Sequence, residues 1–311
     1  MDQRLTGTAA PHVLSTENTT KIMRDVIIAL IPALIGAVYF FGLSALKLTL
    51  VSVAAAVLTE FVIQKATKKP VTISDLSAVV TGILLAYNVP PTAPWWLVAI
   101  GSIFAIGIAK QAFGGIGQNF INPALAGRAM LLASWPVLMT TWVNPGPDAV
   151  SAATPLAILK GGEAVGTLPP IMDTFIGNIG GCIGETSVIL LLIGGIYLIA
   201  RKVISWRTPV AYILTVAVLT FIFAGGVEPM LYHVFSGGLI LGAFFMATDY
   251  PSTPITPKGK IIFGIGAGIL TTVIRLKGGY PEGVSYSILL MNLASPLIEK
   301  FTQPRVFGEV K

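Results

Sequence analysis

The stretch "DAVSAATPLAILK", from Asp148 to Lys160, contains the residues of this chain that are best suited to covalent chemistry. Threonine caps free backbone N–H groups and proline suits the first helical position. We therefore expect Thr154-Pro155 to begin a short helix, "PLAILK". A helix N-terminus also attracts phosphate, but Lys160 is the only cation in this stretch. A phosphate held so weakly would leave easily, whereas a covalent bond through the threonine hydroxyl would retain it.

A second group of polar residues lies in the stretch "GGIGQNFINPALAGR". Asn119 and Asn122 are three positions apart, so both side chains face one side of a helix start. Asp249 ends a later apolar segment, and the distribution of cations along the chain puts that end on the same side of a membrane as Asn119 and Asn122. We therefore expect polar groups from both parts of the chain to converge there. Asn-Pro and Asp-x-Pro are also ordinary helix-end and turn signals. The sequence alone leaves both a binding site and a purely structural role open.

Arg128 follows Asn122 by six positions, which is about 9 Å deeper along a helix. Ionisable side chains within apolar segments are rare and usually paired. Arg128 is therefore expected to hold a bound carbonyl or phosphate group or to pair with Asp249, or else to reach back to the membrane surface. Asp25 and Glu60 lie near segment ends, and we expect them to be interface charges rather than parts of an ion path.

The composition is typical of a membrane protein. Of 311 residues, 54% are hydrophobic and 11% are charged, whereas soluble domains carry about 25% charged residues. Runs such as "VIIALIPALIGAVYFFGLSAL" reach the roughly 20 residues that a membrane span needs. The net charge of +6 comes from cations at span ends, so it does not indicate nucleic-acid binding. One cysteine and two histidines predict neither a disulfide, nor a metal site, nor an iron–sulfur cluster held by this chain alone.

The apolar pattern predicts an all-α polytopic membrane protein with ten spans. The spans are expected at about 22–41, 44–64, 75–88, 95–111, 122–142, 183–200, 208–225, 231–248, 260–275 and 283–301. With both termini in the cytoplasm, the cations on the outer side are only Lys47, Lys160, Arg275 and Lys277 of the 20 Lys and Arg residues. Because cytoplasmic loops carry the excess of cations, this orientation is favoured, and it puts Thr154 on the outer face.

An internal repeat divides the chain. "LSAVVTGILLAYNVPP" resembles "VFSGGLILGAFFMATDYP", with Asn88 two positions before Pro90 and Asp249 two positions before Pro251, an offset of 161 (251 − 90). A repeat of five spans is inverted, and inverted repeats with short helices form ligand sites at their interface. The predicted parts are a cytoplasmic segment 1–21, a five-helix repeat 22–142, an outer loop 143–182, a second repeat 183–301 and a cytoplasmic tail 302–311.

Several motifs, in order, resemble the D subunit of the Rnf complex and, less closely, the B subunit of the sodium-pumping NADH:quinone reductase. The stretches are "SDLSAVVTGILLAYNVPPTAPWW", "AKQAFGGIGQNFINPALAGRAML" and "HVFSGGLILGAFFMATDYPSTP", and the resemblance extends from about residue 22 to 301. "DAVSAATPLA" is similar to a flavinylation motif of the type D-x-x-S-G-A-T. The resemblance implies two inverted five-helix halves similar to the urea-transporter fold.

The resemblance implies that FMN is attached through its phosphate to Thr154 by a separate flavin transferase. Asp148, Ser151 and Ala153 would belong to the motif that the transferase recognises. Ala152 stands where the motif has glycine, and alanine resists a left-handed backbone. We expect a small side chain to be sufficient there.

The polar residues around Asn119 and Asn122 also resemble a region of the sodium-pumping relative. In the sodium-pumping relative, the comparable region holds a non-covalent riboflavin. This implies Asn119, Asn122 and Asp249 as contacts of a second flavin here, with Arg128 as a further cofactor contact.

The implied function is a membrane electron carrier without catalytic residues of its own, in an Rnf-type complex of the prokaryotic cytoplasmic membrane. Such a complex couples electron transfer between ferredoxin and NAD+ to Na+ or H+ translocation. Its other members would be the A and E membrane subunits, the G flavin subunit and the B and C iron–sulfur subunits, together with membrane lipid. The alternative is a small-solute channel or transporter, which the inverted repeat suits equally well. The outer loop with Thr154 favours the electron carrier.

Overall fold

The computed structural model describes residues 18–146, 153–161, 167–185, 187–279 and 282–304. Within these ranges the structure is helical and contains no β-strand, which confirms the all-α class. The α-helices are α1 (Thr19–Phe41), α2 (Leu43–Ala66), α3 (Ser77–Tyr87), α4 (Trp95–Phe104), α5 (Pro123–Ser134), α6 (Pro136–Thr140), α7 (Pro155–Lys160), α8 (Ile171–Ile176), α9 (Val188–Ala200), α10 (Arg207–Ala224), α11 (Val227–Phe235), α12 (Leu239–Leu241), α13 (Pro257–Lys277) and α14 (Val284–Thr302).

Five described helical segments are long and apolar enough to cross a membrane, and a bent pair gives a sixth. The five are α1, α2, α10, α13 and the segment Trp95–Phe113, in which α4 continues as a π-helix and a short 3₁₀-helix. α3 and α9 are shorter apolar helices. A polytopic membrane protein is therefore confirmed, while the count of ten spans stays a prediction.

Small side chains let the helices approach closely. α1 packs against α9, and a Cβ atom at Gly194 would lie 2.0 Å from the carbonyl oxygen of Ala29. The other side of α1 carries exposed apolar side chains such as Ile35 and Tyr39. Helices in lipid associate through such small residues because lipid itself solvates their apolar faces.

The helices occur in the same order in both halves. α2 packs against α3 and α4, α10 packs against α13, and the halves meet through α1 with α9 and α5 with α14. Leu76 (φ 64°, ψ 5°) immediately precedes α3, and Gly238 (φ 66°, ψ 14°) immediately precedes α12. These residues are 162 positions apart (238 − 76), close to the offset in the sequence, so the structure supports the repeat. The inversion of the halves in a membrane stays a prediction.

Two predicted spans are broken rather than continuous. The span expected at 231–248 consists of α11 and the segment Leu239–Met246, which begins with α12 and continues as a π-helix. The two parts are bent by 59° at Gly237 and Gly238, which have positive φ. The span expected at 122–142 ends as α5 at Ser134, and Pro136 begins α6. Glycine adopts a left-handed backbone easily and proline cannot continue a helix, which explains both breaks.

Candidate functional site

Thr154 caps the N-terminus of α7, as the sequence predicts. Its side-chain oxygen accepts a hydrogen bond from the backbone N–H of Ala157 at 3.3 Å, and Pro155 occupies the first helical position. Thr154 is only 6% exposed. Of the other motif residues, Ala153 is described and half-buried, while Asp148, Ser151 and Ala152 lie outside the described residues. We use "outer end" for the end of the helix bundle that carries Thr154, and "inner end" for the opposite end.

α7 rests on the break between α11 and α12. Leu156 fills the space in front of Gly237, where a Cβ atom would lie 2.3 Å from its Cδ1 atom. Lys160 Nζ donates a hydrogen bond to the carbonyl oxygen of Gly278 at the end of α13. Partial burial lowers the pKa of Lys160. The attachment helix is therefore held by the second half of the chain.

A small pocket of about 10 Å³ lies beside Thr154. Its lining comprises Thr154, Pro155, Ile179, Gly180, Gly181, Glu185, Ser236, Gly237 and Glu282. Glu185 and Glu282 belong to the segments that precede α9 and α14. Sequence reasoning missed both glutamates, because each lies at the start of an apolar run and resembles an interface charge.

Arg128 contacts both of these glutamates. Its guanidinium donates to Glu282 and to Ser285 Oγ (2.6 Å) and Asn88 Oδ1 (3.1 Å), while its Nη1 atom lies 3.7 Å from Glu185 Oε1. Arg128 is 5% exposed. The expectation that it would be paired is confirmed, but its carboxylate partners belong to the outer cluster, and the structure gives no pair with Asp249. It is too deeply buried to reach the membrane surface.

Cys182 adds a thiol to this cluster. The ligand atoms of Cys182, Glu185 and Glu282 lie within 4.8 Å of one another, a spacing that suits a metal ion. However, Arg128 Nη2 hydrogen-bonds Glu282 and lies 3.9 Å from the Cys182 sulfur. The guanidinium therefore already supplies the positive charge at this place.

The inner end contains the other predicted group, and the structure brings its members together. Asn119 Nδ2 donates to Asp249 Oδ2 at 3.3 Å, and Ser252 Oγ donates to the same oxygen at 2.9 Å. Asn122 caps α5 through the backbone N–H of Ala124 and donates to the carbonyl oxygen of Met246 at 3.3 Å. Asn122 thus has the structural role that the sequence left open, and it also joins the two halves.

Asn119, Asn122 and Asp249 border a cavity of about 250 Å³. Its lining is mostly apolar, with Phe244 and Phe245 among its aromatic side chains, and its polar groups include Lys110, Asn119 and Asp249. Ligand cavities are typically apolar with a few placed polar groups and begin at roughly 300 Å³. The cavity is therefore close to the size and character of a small-molecule site.

Lys110 and Glu60 form a buried pair beside this cavity, which corrects the prediction that Glu60 is an interface charge. Lys110 Nζ lies 2.7 Å from Glu60 Oε1 and donates to Ser77 Oγ at 2.6 Å, and Gln111 Nε2 donates to Glu60 at 2.6 Å. Asp25 is likewise buried and binds Arg201 at 3.2 Å. The sequence already contained a reason to expect buried pairs here, because charged residues within apolar runs are usually paired.

The two sites lie at opposite ends of α9. Glu185 precedes this helix and lines the outer pocket, whereas Leu198, Val203 and Ile204 lie at its other end and line the inner cavity. The 13 residues of α9 extend about 20 Å. The Thr154 hydroxyl and the inner cavity therefore lie at opposite ends of the helix bundle.

Comparison with known proteins identifies the family. The model of the NQR2, RnfD, RnfE family matches residues 6–308. This chain belongs to that family. Because the match covers nearly the whole sequence, the resemblance inferred from individual motifs is confirmed, and both ends of the helix bundle lie within the family's common part.

Members of the NQR2, RnfD, RnfE family with curated names are similar over their full length. The chain is 57% identical to the D subunit of the Na(+)-translocating ferredoxin:NAD(+) oxidoreductase complex of Acetobacterium woodii, covering 99% of this chain and 96% of the relative. It is 52% identical to the proton-translocating counterpart of Clostridium ljungdahlii (97% and 96%) and 38% identical to the D subunit of the ion-translocating oxidoreductase complex of Yersinia pseudotuberculosis (96% and 97%). Two relatives of similar identity thus carry names with different coupling ions.

Proposed function

We propose that this chain is the D-type membrane subunit of an Rnf-type complex and carries electrons through covalently bound FMN. The observation that supports this most strongly is the full-length similarity to proteins named as the D subunits of ferredoxin:NAD(+) oxidoreductase complexes. The chain would act with the A and E membrane subunits, the G flavin subunit and the B and C iron–sulfur subunits. Electron flow would be coupled to translocation of Na+ or H+.

The attachment point that we propose is the Thr154 hydroxyl on the outer face. The chemistry fits, because the hydroxyl oxygen caps a helix and can carry a phosphoester while it still accepts the N–H of Ala157. The adjacent pocket of about 10 Å³ has room for no more than a water molecule. The flavin ring would therefore lie outside this pocket. When bound, FMN supplies the redox chemistry, and the protein holds and orients it.

The burial of Thr154 sets the order of events. Thr154 is 6% exposed and lines a small pocket together with Gly237 at the break before α12, so its hydroxyl offers a transferase little access. We therefore propose that attachment precedes the packing of α7 or requires its temporary release. Lys160 and Leu156 would then close the segment over the modified residue.

A second, non-covalent flavin is proposed for the inner cavity, with Asn119, Asn122 and Asp249 as contacts. The support is the cavity of about 250 Å³ with aromatic walls and these polar groups at one end. Arg128 would act at the outer end, where it holds the side chains of Glu185 and Glu282 in place near Thr154. A solute channel is less well supported, because a buried ion cluster joins the two halves where a channel would need an open route.

The test is the mass and fluorescence of the purified chain, produced together with a flavin transferase. We expect the mass to exceed that of the polypeptide by one FMN less water, and we expect a fluorescent band after denaturing electrophoresis. Thr154→Ala should lose both signals, whereas Thr174→Ala, a buried threonine of α8, should retain them. A wild-type mass equal to that of the bare polypeptide would refute attachment.

A further inference from the structure

A second pocket at the inner end, of about 540 Å³, lies next to the inner cavity. Its volume falls within the roughly 300–1,000 Å³ that is typical of small-molecule sites. Val203 and Tyr250 line both spaces, and the Tyr250 hydroxyl donates a hydrogen bond to the carbonyl oxygen of Val203. These two residues therefore form a wall between the pocket and the inner cavity. We call the space the lysine pocket, and its lining includes Lys202, Trp206, Thr208, Tyr250, Ile255 and Lys260.

Two lysines give this pocket a positive charge. Lys202 follows α9 and is exposed, while Lys260 is the fourth residue of α13 and is half-buried. The described residues that line the pocket include no aspartate or glutamate. A carboxylate beside the lining, that of Glu299, accepts the backbone N–H of Ile255 at 2.9 Å. The lining is therefore suited to an anion.

Two helices begin at the lysine pocket. Trp206 and Thr208 flank the first residue of α10, and Ile255 and Lys260 lie on either side of the first residue of α13. α10 and α13 pack against each other, so their N-termini lie side by side. The N-terminus of a helix carries a partial positive charge that favours anions such as phosphate. Both helix ends add to the charge of the two lysines.

Apolar side chains continue from the pocket along both helices. Trp206 is exposed, and the exposed residues Val210 and Leu214 follow it at intervals of four, on the same face of α10. α13 carries the exposed residues Ile261 and Ile265 beyond Lys260. Both helices are long and apolar enough to span a membrane, and tryptophan is typical of the headgroup level. A ligand with an anionic head and an apolar tail therefore matches both the pocket and the surface beside it.

We propose that the lysine pocket binds the phosphate headgroup of an anionic phospholipid. Lys202 and Lys260 pair with the phosphate, and the acyl chains lie along the exposed apolar faces of α10 and α13. Basic pockets between membrane-spanning helices bind such headgroups. Free phosphate would match the charges but not the apolar surface, and an acidic segment of a partner subunit would leave that surface uncovered. The proposal depends on neither flavin.

The position of the pocket gives the lipid a structural effect. Val203 belongs to the connection between α9 and α10, and Tyr250 belongs to the connection between the segment Leu239–Met246 and α13. A headgroup in the lysine pocket touches both connections, because both residues line it. The bound lipid therefore holds together the wall that closes the inner cavity on this side.

The experiment measures quenching of tryptophan fluorescence by brominated lipid in the full chain, reconstituted in bilayers. Trp206 lines the pocket, so the difference between each protein and its Trp206→Phe variant reports lipid at this place. Brominated phosphatidylglycerol should bind there roughly 25-fold more strongly than brominated phosphatidylcholine, because each lysine contributes roughly fivefold. Lys202→Gln/Lys260→Gln should lose this preference. Lys68→Gln/Lys69→Gln, which removes two exposed lysines after α2, is the charge-matched control and should keep it.

Equal binding of the two lipids to the wild type would overturn the proposal, and so would an unchanged preference in Lys202→Gln/Lys260→Gln. If inorganic phosphate displaces the brominated phosphatidylglycerol at matched ionic strength, the pocket takes a free anion and the assignment to lipid fails. Protection of Trp206 from this lipid in the purified complex, but not in the chain alone, would assign the pocket to a partner subunit instead.

The single variants keep the proposal testable should the double variant fail to fold. Lys202→Gln and Lys260→Gln should each weaken the preference for phosphatidylglycerol roughly fivefold. A preference that stays at the wild-type value in both would refute the pairing of these lysines with the headgroup. None of these measurements requires that the chain carries a flavin, so their outcome is separate from that of the attachment test.

Discussion

Replacement of Arg128 should reveal how much the buried ion cluster contributes to stability. Arg128→Met removes the guanidinium that Glu282, Ser285 and Asn88 contact and that lies 3.7 Å from Glu185. Methionine fills much of the same space, so the principal change is electrostatic. Both glutamates are then left in a buried site without their shared cation.

The expected cost follows from the burial of the pair. Breaking a buried ion pair by removing one partner lowers the free energy of unfolding by about 3–5 kcal/mol, because the other charge stays uncompensated. Glu282→Gln should cost less, since Arg128 can then move toward Glu185. The double variant Arg128→Met/Glu282→Gln should be more stable than the sum of the single losses predicts, by about 0.5–3 kcal/mol.

Denaturant unfolding in detergent micelles, followed by tryptophan fluorescence, measures these differences. Lys47→Met changes an exposed cation of α2 and serves as the control, with an expected change within about 0.5 kcal/mol. If the losses in the two single variants simply add in the double variant, Arg128 and Glu282 are not energetically coupled. That result would refute the description of the cluster as one interacting unit.

Two further variants test the inner cavity and the position of α7. Asp249→Ala removes the oxygen that Asn119 and Ser252 contact. Non-covalent flavin should therefore bind roughly tenfold more weakly, as measured by the flavin that denaturation releases. Asp173→Asn at the outer end is the control, and a flavin content of Asp249→Ala equal to that of the wild type would contradict an inner site at Asp249. Gly237→Ala places a Cβ atom 2.3 Å from Leu156 Cδ1 at a residue with φ of 69°, so it should lower the free energy of unfolding by about 1–3 kcal/mol. Gly279→Ala, with open space around its Cβ position, should leave the free energy of unfolding unchanged. Similar stability of both variants would argue against the packing of α7 on Gly237.

Structural features that depend on one short stretch of sequence could be predicted from that stretch alone. Threonine followed by proline predicted the start of α7, because the cap and the first turn involve only adjacent residues. The convergence of Asn119 with Asp249 was also predictable, since the repeat and the charge pattern put both at the same end. The break before α12 had its signal in Gly237-Gly238, but both glycines were taken as small residues within a continuous span.

The partners of the buried charges could not be predicted from local sequence. Arg128 and Glu282 are 154 positions apart, and nothing near either residue indicates the other. The Lys110–Glu60 pair was missed for a different reason, because counting charges by membrane side assigns both residues to the inner surface. Only the packing of α2 against the π-helical continuation of α4 brings them together in the interior.

The repeat explains why the chain offers one site at each end. Asn119 and Asn122 before α5 correspond by position to Glu282 before α14 and Ser285 in its first turn, at an offset of 163 (282 − 119 and 285 − 122). The inner site combines Asn119 and Asn122 with Met246 and Asp249 after the short helix of the second half. The outer cluster combines Glu282 and Ser285, through Arg128, with Asn88 after the short helix of the first half.

Each site thus joins the end of one half's short helix to the start of the other half's last helix. At these two positions the inner site has two amides, whereas the outer cluster has a carboxyl group and a hydroxyl. The carboxyl group of the inner site is Asp249, and the outer cluster adds the guanidinium of Arg128. The inner cavity, whose polar groups include Lys110, Asn119 and Asp249, suits a ligand that is held by hydrogen bonds together with charge. The outer cluster is instead closed around its own ions, because Arg128 hydrogen-bonds Glu282 and lies 3.7 Å from Glu185.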